Sequence, residues 1–396
     1  MTKASKEGQR KAPILRFKGF TDAWEQRKLG EMITERKILR FDSREFPLSS
    51  FIKNEGVVPK SSRYDRSFLV KSNSKKYKET RLGDFIYSSN NLDTGSIGLN
   101  NYGNAVISPV YSIFTSKDTE NLETSFINLL FKKNFYKNKM LRFRQGVTYG
   151  QWKIKENDFL NLKVYISNSV EIEKIIAIFS KISQCITLYD RKTKLIKQIQ
   201  SSFLDCFFSE TNNVTSLNHF LRIRNGYAFK SSELTENGEI PVVKISNIGS
   251  NKPFTFTTKA KSKEQFTLYP NDIIIALSGA TAGKINQVAN KYPLYYQNQR
   301  VGFFEIKNDR LNCEYLNSFL HSKKFKSQLQ KTLVAGAQPN ITPKDIEKIK
   351  IPFLEYELQQ TIGQVNKYLF ELQRINKDKL TLLNKIKKTL LNNMFV

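Results

Sequence analysis

The chain has 396 residues, 64 Lys and Arg against 36 Asp and Glu, and a formal net charge of +28. That length holds two ordinary domains or three small ones, and the charge points to a polyanion, nucleic acid before an anionic membrane surface. Aromatic residues at 12% exclude a disordered basic tail, and no apolar run approaches the ~18 residues that a transmembrane helix needs.

Scarce residues exclude further chemistry. His219 and His321 are the two histidines, too few for a multi-histidine metal site. Cys185, Cys206 and Cys313 are odd in number and widely spaced, which predicts a reducing cytoplasm, no disulfide framework and no structural zinc. The N-terminal MTKASKEGQRKAPILRF lacks the apolar core of a signal peptide. HExxH, GxSxG, a dinucleotide fingerprint and an Asn-Pro-Pro-Tyr-like stretch are all missing.

In chain order, the first half begins with β-rich runs at 84–87 and 110–114, a helical stretch at 122–136 and a β-rich run at 163–166. A proline-free stretch at about 170–208 follows, with Ile175, Ile178, Ile182, Cys185, Ile196, Ile199 and Phe203 at three- and four-residue steps. The pattern then restarts. β-rich runs fall at 272–277 and 301–306, a helical stretch at 313–332, and a second proline-free stretch at about 357–395. There Ile362, Val365, Leu369, Leu372, Leu383, Ile386 and Leu390 repeat the first apolar set at a constant offset of 187. Gly83-Asp84-Phe85-Ile86 likewise matches Asn271-Asp272-Ile273-Ile274, and Asp158-Phe159 matches Asp345-Ile346. The chain is therefore two copies of one unit, each a mixed α/β head followed by a long helix. Such a/d spacing predicts that the helices pair as an antiparallel coiled coil, related by a pseudo-twofold.

The expected divisions are a first head at 1–168, a spacer helix at 169–209, a second head at 210–354 and a C-terminal spacer helix at 355–396. The heads carry net +14 and +9, the helices +2 and +3. Two basic heads on a near-neutral spacer fit two separate contacts along duplex DNA. Polar clusters around glycines supply candidate readers. In the first head these are Asn90, Asn91, Thr94 and Ser96, then Arg142, Arg144, Gln145, Thr148, Tyr149, Gln151 and Lys153. In the second they are Arg222, Arg224, Asn225, Tyr227 and Lys230, then Ser278, Thr281 and Lys284, then Gln297, Asn298, Gln299 and Arg300, and finally Gln338 and Asn340. Arg suits guanine and Asn or Gln suits adenine in the major groove, whereas Lys, Ser and Thr more often hold phosphates. Ser278–Lys284 is a poor phosphate-binding loop, because its first glycine is one residue late and Ile285 replaces the magnesium-binding hydroxyl.

FTDAWEQRKLGE (20–31), RNGYAFKSSEL (224–234), NDIIIALSGATAGKI (271–285) and GAQPNITPKDIEKIKIPF (336–353), with EYELQQ behind it, resemble the specificity subunit of a type I restriction–modification system. GVTYGQWKIKENDFLNLKVYI (146–166) is the looser counterpart in the first unit. The resemblance implies two target-recognition domains reading halves of a split, asymmetric DNA sequence. It implies helices that set the unread spacer and dock two methyltransferase subunits, with two ATP-dependent endonuclease and translocase subunits joining them. It assigns S-adenosylmethionine, ATP and Mg2+ to those partners and none to this chain, which would be no enzyme. Competing readings are a self-sufficient DNA-modifying enzyme and a duplicated RNA-binding scaffold.

Overall fold

The structure, a computed structural model, describes residues 12–53, 55–60, 75–92, 96–118, 121–148, 152–209, 213–250, 252–257, 264–333 and 340–396. It divides into two compact units, Met1–Leu188 with Leu380–Val396, and Tyr189–Lys379.

Unit 1 opens with β1 (Glu25–Lys28), the short helix α1 (Leu29–Met32) and β2 (Ile33–Glu35). It continues through β3 (Leu39–Arg40), β4 (Ser49–Ile52), β5 (Gly56–Pro59), β6 (Tyr77–Thr80), β7 (Phe85–Ser88), β8 (Ile97–Leu99), β9 (Ala105–Ile107) and β10 (Tyr111–Ser116). Helices α2 (Leu122–Leu130), α3 (Asn134–Leu141) and α4 (Glu156–Leu160) precede β11 (Lys163–Ile166) and the 40-residue α5 (Ser169–Phe208). The main sheet has the order β2-β10-β7-β8. Every residue of β7, Phe-Ile-Tyr-Ser, is buried, as a strand covered on both faces must be. β1 and β11 pair antiparallel, β3-β6-β9 form a three-stranded sheet, and β4 and β5 form a hairpin.

Unit 2 holds β12 (Val214–Ser216), β13 (Leu221–Asn225), β14 (Leu234–Thr235), β15 (Ile240–Val243), β16 (Thr255–Thr257), β17 (Thr267–Leu268), β18 (Ile273–Ala276), β19 (Ile285–Gln287), β20 (Tyr295–Gln297) and β21 (Val301–Ile306). Helices α6 (Cys313–His321), α7 (Lys323–Leu333) and α8 (Pro343–Glu347), β22 (Lys350–Pro352) and α9 (Tyr356–Asn393) complete the chain. Its main sheet, β13-β21-β18-β19, has the same connectivity as that of unit 1, and β12 pairs with β22 as β1 does with β11. A five-stranded sheet, β14-β16-β15-β20-β17, stands where unit 1 has its three-stranded sheet and hairpin.

The repeat extends to single hydrogen bonds. The Gly83 N–H donates to Asn100 O (2.8 Å) and the Asn100 N–H to Asp84 O (2.8 Å). In unit 2 the Asn271 N–H donates to Val288 O (2.9 Å) and the Val288 N–H to Asp272 O (2.9 Å). Gly83 and Asn271 both sit in the left-handed region, at φ 85° and 73°, and glycine and asparagine are the residues that adopt it at least cost. Local sequence sets other element starts. Asn312 caps α6 by accepting the N–H groups of Glu314 and Tyr315, and Thr342 with Asp345 forms a capping box around α8 with Pro343 at its first position.

The cores differ. In unit 1, Phe159 lies among Phe85, Tyr87, Phe114 and Phe131 at ring-centroid distances of 4.8–5.8 Å. Its counterpart Ile346 lies in a cluster with Leu217, Ile275, Leu316 and Ile351.

Within each unit the two long helices run antiparallel. In unit 2, Lys379 Nζ lies 5.7 Å from the Tyr189 ring, while Gln200 Nε2 donates to Asn366 Oδ1 (2.8 Å). In unit 1, Lys387 Nζ donates to Ser183 Oγ (2.9 Å), and Phe179 meets Phe395 at 5.8 Å. The seam departs from the apolar set expected for it. Ile199, Val365 and Ile386 are exposed, and in unit 2 buried amides take the inward positions. Asn366 Nδ2 donates to Ser318 Oγ (2.9 Å), and Gln373 Nε2 to Gln200 Oε1 (2.7 Å). Within each unit a long helix packs against both the head and the facing helix, so it presents more than one buried face and a single 3.5-residue stripe does not describe it.

Candidate nucleic-acid interface

Each unit sends the central strand of its main sheet into a loop beside a short segment from late in that unit. In unit 1 the Ile154 N–H donates to Ser89 Oγ (3.0 Å), and Tyr87 Oη donates to Ile154 O (3.3 Å). This lays 152–154 against the β7–β8 loop that carries Asn90, Asn91 and Ser96. In unit 2 the Ile341 N–H donates to Leu277 O (2.8 Å), and Ser278 and Asn340 form an isolated antiparallel bridge. The same juxtaposition thus recurs with unrelated side chains.

The β18–β19 loop is a tight turn built on glycines. Gly279 and Gly283 have φ 75° and 81°, the Gly283 N–H donates to Ala276 O (2.8 Å), and the Thr281 hydroxyl donates to Ile245 O (3.3 Å). A Cβ on Gly283 would meet Leu329 Cδ2 at 2.9 Å. The glycines therefore serve close packing and chain reversal.

A cleft of about 820 Å3 opens at this loop. It gathers Asn225, Ser278, Gln299, Arg300 and Asn340, candidates from four separate stretches of sequence. Asn225, Gln299, Arg300 and Asn340 are exposed. Ser278 Oγ is buried and has no protein hydrogen-bond partner, and neither has Asn90 Oδ1 at the equivalent position of unit 1. A buried polar atom left unpaired costs about 1–3 kcal/mol. Among the described residues the unpaired atom recurs at one structural position in both units.

Other candidates lie elsewhere. Arg144 stacks on the Trp152 ring at 4.3 Å, and the backbone of Gln145 exchanges two hydrogen bonds with Lys153 (2.8 and 2.9 Å). Arg142, Thr148 and Lys153 are exposed around them. Trp152 joins the candidates through this contact, and the GQWK stretch that contains it carries its signal in the sequence. Gln297 is fully buried and donates through Nε2 to Arg224 O and Val301 O (2.7 Å each), so its amide braces backbone rather than facing a groove. Arg222 pairs with Glu305, and this hydrogen bond first of all holds the Glu305 carboxyl below its ordinary range. Arg224 donates to Thr267 O (2.8 Å) and lies 4.8 Å from the Phe303 ring. Both guanidinium groups are engaged within the unit. Tyr227 packs against Phe229 and Phe266, and its N–H donates to Gln297 O (2.8 Å). The Asn298 N–H donates to Val243 O (3.1 Å), whereas Lys230 and Lys284 are exposed. Thr94, Tyr149, Gln151 and Gln338 lie outside the described residues. Among the described residues no group of three or more His, Cys, Asp or Glu is placed to hold a metal ion, and no helix is long and apolar enough to cross a membrane.

The chain is basic and duplicated, and its second unit forms a polar cleft. The family model described as the type I restriction modification DNA specificity domain matches residues 209–387. The type I restriction enzyme MjaVIII specificity subunit of Methanocaldococcus jannaschii is 26% identical over 297 residues, 67% of this chain and 68% of that protein. The crystal structure of the type I restriction–modification S subunit from M. genitalium shares the fold, with a TM-score of 0.67 and 15% identity over 97% of this chain and 99% of its own. Residues 209–387 thus match the specificity-domain model, and the chain is similar to specificity subunits of type I restriction–modification systems.

Proposed function

We propose that each unit reads one half of a bipartite, asymmetric DNA target, and that the chain itself is non-catalytic. The observation that carries this reading is the unpaired buried polar atom that recurs at one position in both units, Asn90 Oδ1 and Ser278 Oγ, the latter within the polar cleft of unit 2. Different side chains on the same scaffold imply different half-sites. Arg300, Gln299, Asn225 and Asn340 line the unit 2 cleft as base-edge or phosphate donors, and Arg144, held by Trp152, is their counterpart in unit 1.

The finer assembly belongs to the same proposal. Helices α5 and α9 each contribute to both units, which suits them to fix the unread spacer and to dock two methyltransferase subunits. Two ATP-dependent endonuclease and translocase subunits complete the complex. S-adenosylmethionine, ATP and Mg2+ act in those partners, and the whole operates on DNA in the cytoplasm. Genome-wide sequencing of methylated adenines in a host expressing the complete assembly tests the proposal. One split, asymmetric motif is expected, and no methylated split motif would overturn it. Arg300→Ala and Arg144→Ala should each weaken target binding by roughly 1–3 kcal/mol. Four residues inserted into α5, about one turn, should change the permitted spacer.

A further inference from the structure

Unit 2 has a second cavity, of about 610 Å3, bordered by β16, β19 and the residues just after β19. That size lies within the range of ligand pockets, roughly 300–1,000 Å3. Four aromatic rings shape it. Phe254 meets Tyr295 at 5.5 Å, and Phe256 meets Tyr292 at 5.8 Å and 80°. Tyr295 is fully buried, and its hydroxyl donates to Ala289 O (2.7 Å) while accepting the Tyr292 N–H (3.2 Å). The other three rings are half-buried and so present part of their surface to the cavity. Lys252 and Lys291 stand exposed at its border with one carboxylate, Glu236, and Asn286 and Gln287 add amide donors and acceptors.

Unit 1 shows what this place in the fold accepts. The pairs Ile86↔Gly98 and Ile274↔Asn286 occupy the same register of the two main sheets. In unit 1 the β4–β5 hairpin seats Phe51 there, so close that a Cβ on Gly98 would stand 3.2 Å from the ring tip. Phe51 packs with Ile86 and Val57 and lies 6.0 Å from the Tyr111 ring. In unit 2 Ile274 and Asn286 line the cavity instead. Unit 1 fills the position with a planar ring of its own, and unit 2 leaves it open with lysines beside it.

We propose that this cavity receives one unstacked nucleobase, its ring against Phe254, Phe256 and Tyr292, its edge toward Asn286 and Gln287, and its phosphate near Lys252 and Lys291. The inference rests on the nucleic-acid reading of unit 2. Aromatic faces take any base, because every base has a π-face, and cations beside them track the phosphate. An adjacent lysine pair disfavours a cationic guest in an aromatic cage.

The test titrates the full-length chain with a single-stranded oligonucleotide carrying one 2-aminopurine, with the same strand in a paired duplex, and with adenosine monophosphate. The wild-type chain should quench the 2-aminopurine of the single strand. Asn286→Trp, which supplies a plug as Phe51 does in unit 1, and the surface double variant Lys252→Ala with Lys291→Ala should each weaken that binding roughly tenfold and leave duplex affinity unchanged. Tighter binding of the strand than of the mononucleotide assigns the base to a polynucleotide, and the reverse assigns it to a free nucleotide. The double variant keeps the test decisive if the Trp variant fails to fold. No quenching, with equal affinities of wild-type and double-variant chains for the single strand, overturns the proposal. Quenching retained by a wild-type chain that binds no duplex would instead sink duplex reading and leave this site standing.

Discussion

Units 1 and 2 share one backbone and wire it differently. Both place a left-handed residue before an aspartate at the turn into the central strand, and both close that turn with the same two backbone hydrogen bonds. In unit 1, Asp84 is buried and gripped by Arg36 through two bonds of 2.8 and 3.0 Å. In unit 2 the corresponding Arg224 turns to Thr267 O and Phe303, and burial pushes the Asp272 carboxyl up despite the Tyr269 N–H it accepts (2.8 Å). Backbone pairing and strand burial therefore carry the fold, whereas the ion pairs around it are exchangeable. Exchangeable side chains on a fixed frame are what a recognition module needs, because its surface can vary without loss of the scaffold.

The largest test of this difference is in the two cores. Phe159→Ala should destabilise unit 1 by about 3–5 kcal/mol, because four rings lose their common neighbour, and Ile346→Ala should cost unit 2 about 2–4 kcal/mol. Hydrogen exchange with mass spectrometry, which follows the units separately, reads both. Arg36→Ala ranks next. It leaves Asp84 buried without its cation and should cost unit 1 about 3 kcal/mol. Arg224→Ala should cost unit 2 no more than about 1 kcal/mol, since Glu305 keeps Arg222. Equal losses would contradict the rewiring.

Acid should separate the units further. In unit 1, burial raises the Glu79 carboxyl, but hydrogen bonds from Arg40 and Arg81 outweigh it, and the net shift is downward. Glu171 behaves alike, with burial outweighed by Arg16 and Ser167. A depressed folded value contributes stability above the unfolded value that is lost as pH falls through the folded one. Unit 2 has such a carboxyl too, Glu305 held down by Arg222, but its Asp272 has the opposite sign. Its raised value favours folded unit 2 as pH falls, and that contribution disappears as pH rises through the folded value. Unit 1 should therefore open first below about pH 4, and Asp272→Asn, which fixes the side chain neutral, should stabilise unit 2 near neutral pH and leave its acid limit unchanged. The smallest stability effects belong to the clefts. Asn90→Ala and Ser278→Ala should each leave melting within about 0.5 kcal/mol of wild type, yet alter the methylated motif in one half only. A changed motif in both halves would break the assignment of one half-site to each unit.

Much of this was legible beforehand, and for local reasons. Element types followed from alternation and from proline-free apolar stretches. The repeat stood out because matched residues such as Gly83 and Asn271 answer one backbone demand, a positive φ before a buried strand. The long helices could be placed to within a few residues, but their seam could not. Gln200, Asn366 and Gln373 look like solvated positions until Ser318 and the facing helix supply partners. Among the candidate readers, sequence could not tell Gln297, which braces backbone inside unit 2, from Gln299, which lines the cleft two residues later.

The sequence by itself determined the duplication, the helix–head alternation and the placement of charge on the heads, because these depend on composition and on periodicity over neighbouring residues. Only the tertiary structure decided which polar side chains meet. The unit 2 cleft joins residues 225, 278, 299–300 and 340, and the aromatic cavity joins 254, 256, 292 and 295. Such gatherings depend on strand order and register, which place distant residues side by side, and no local propensity encodes them.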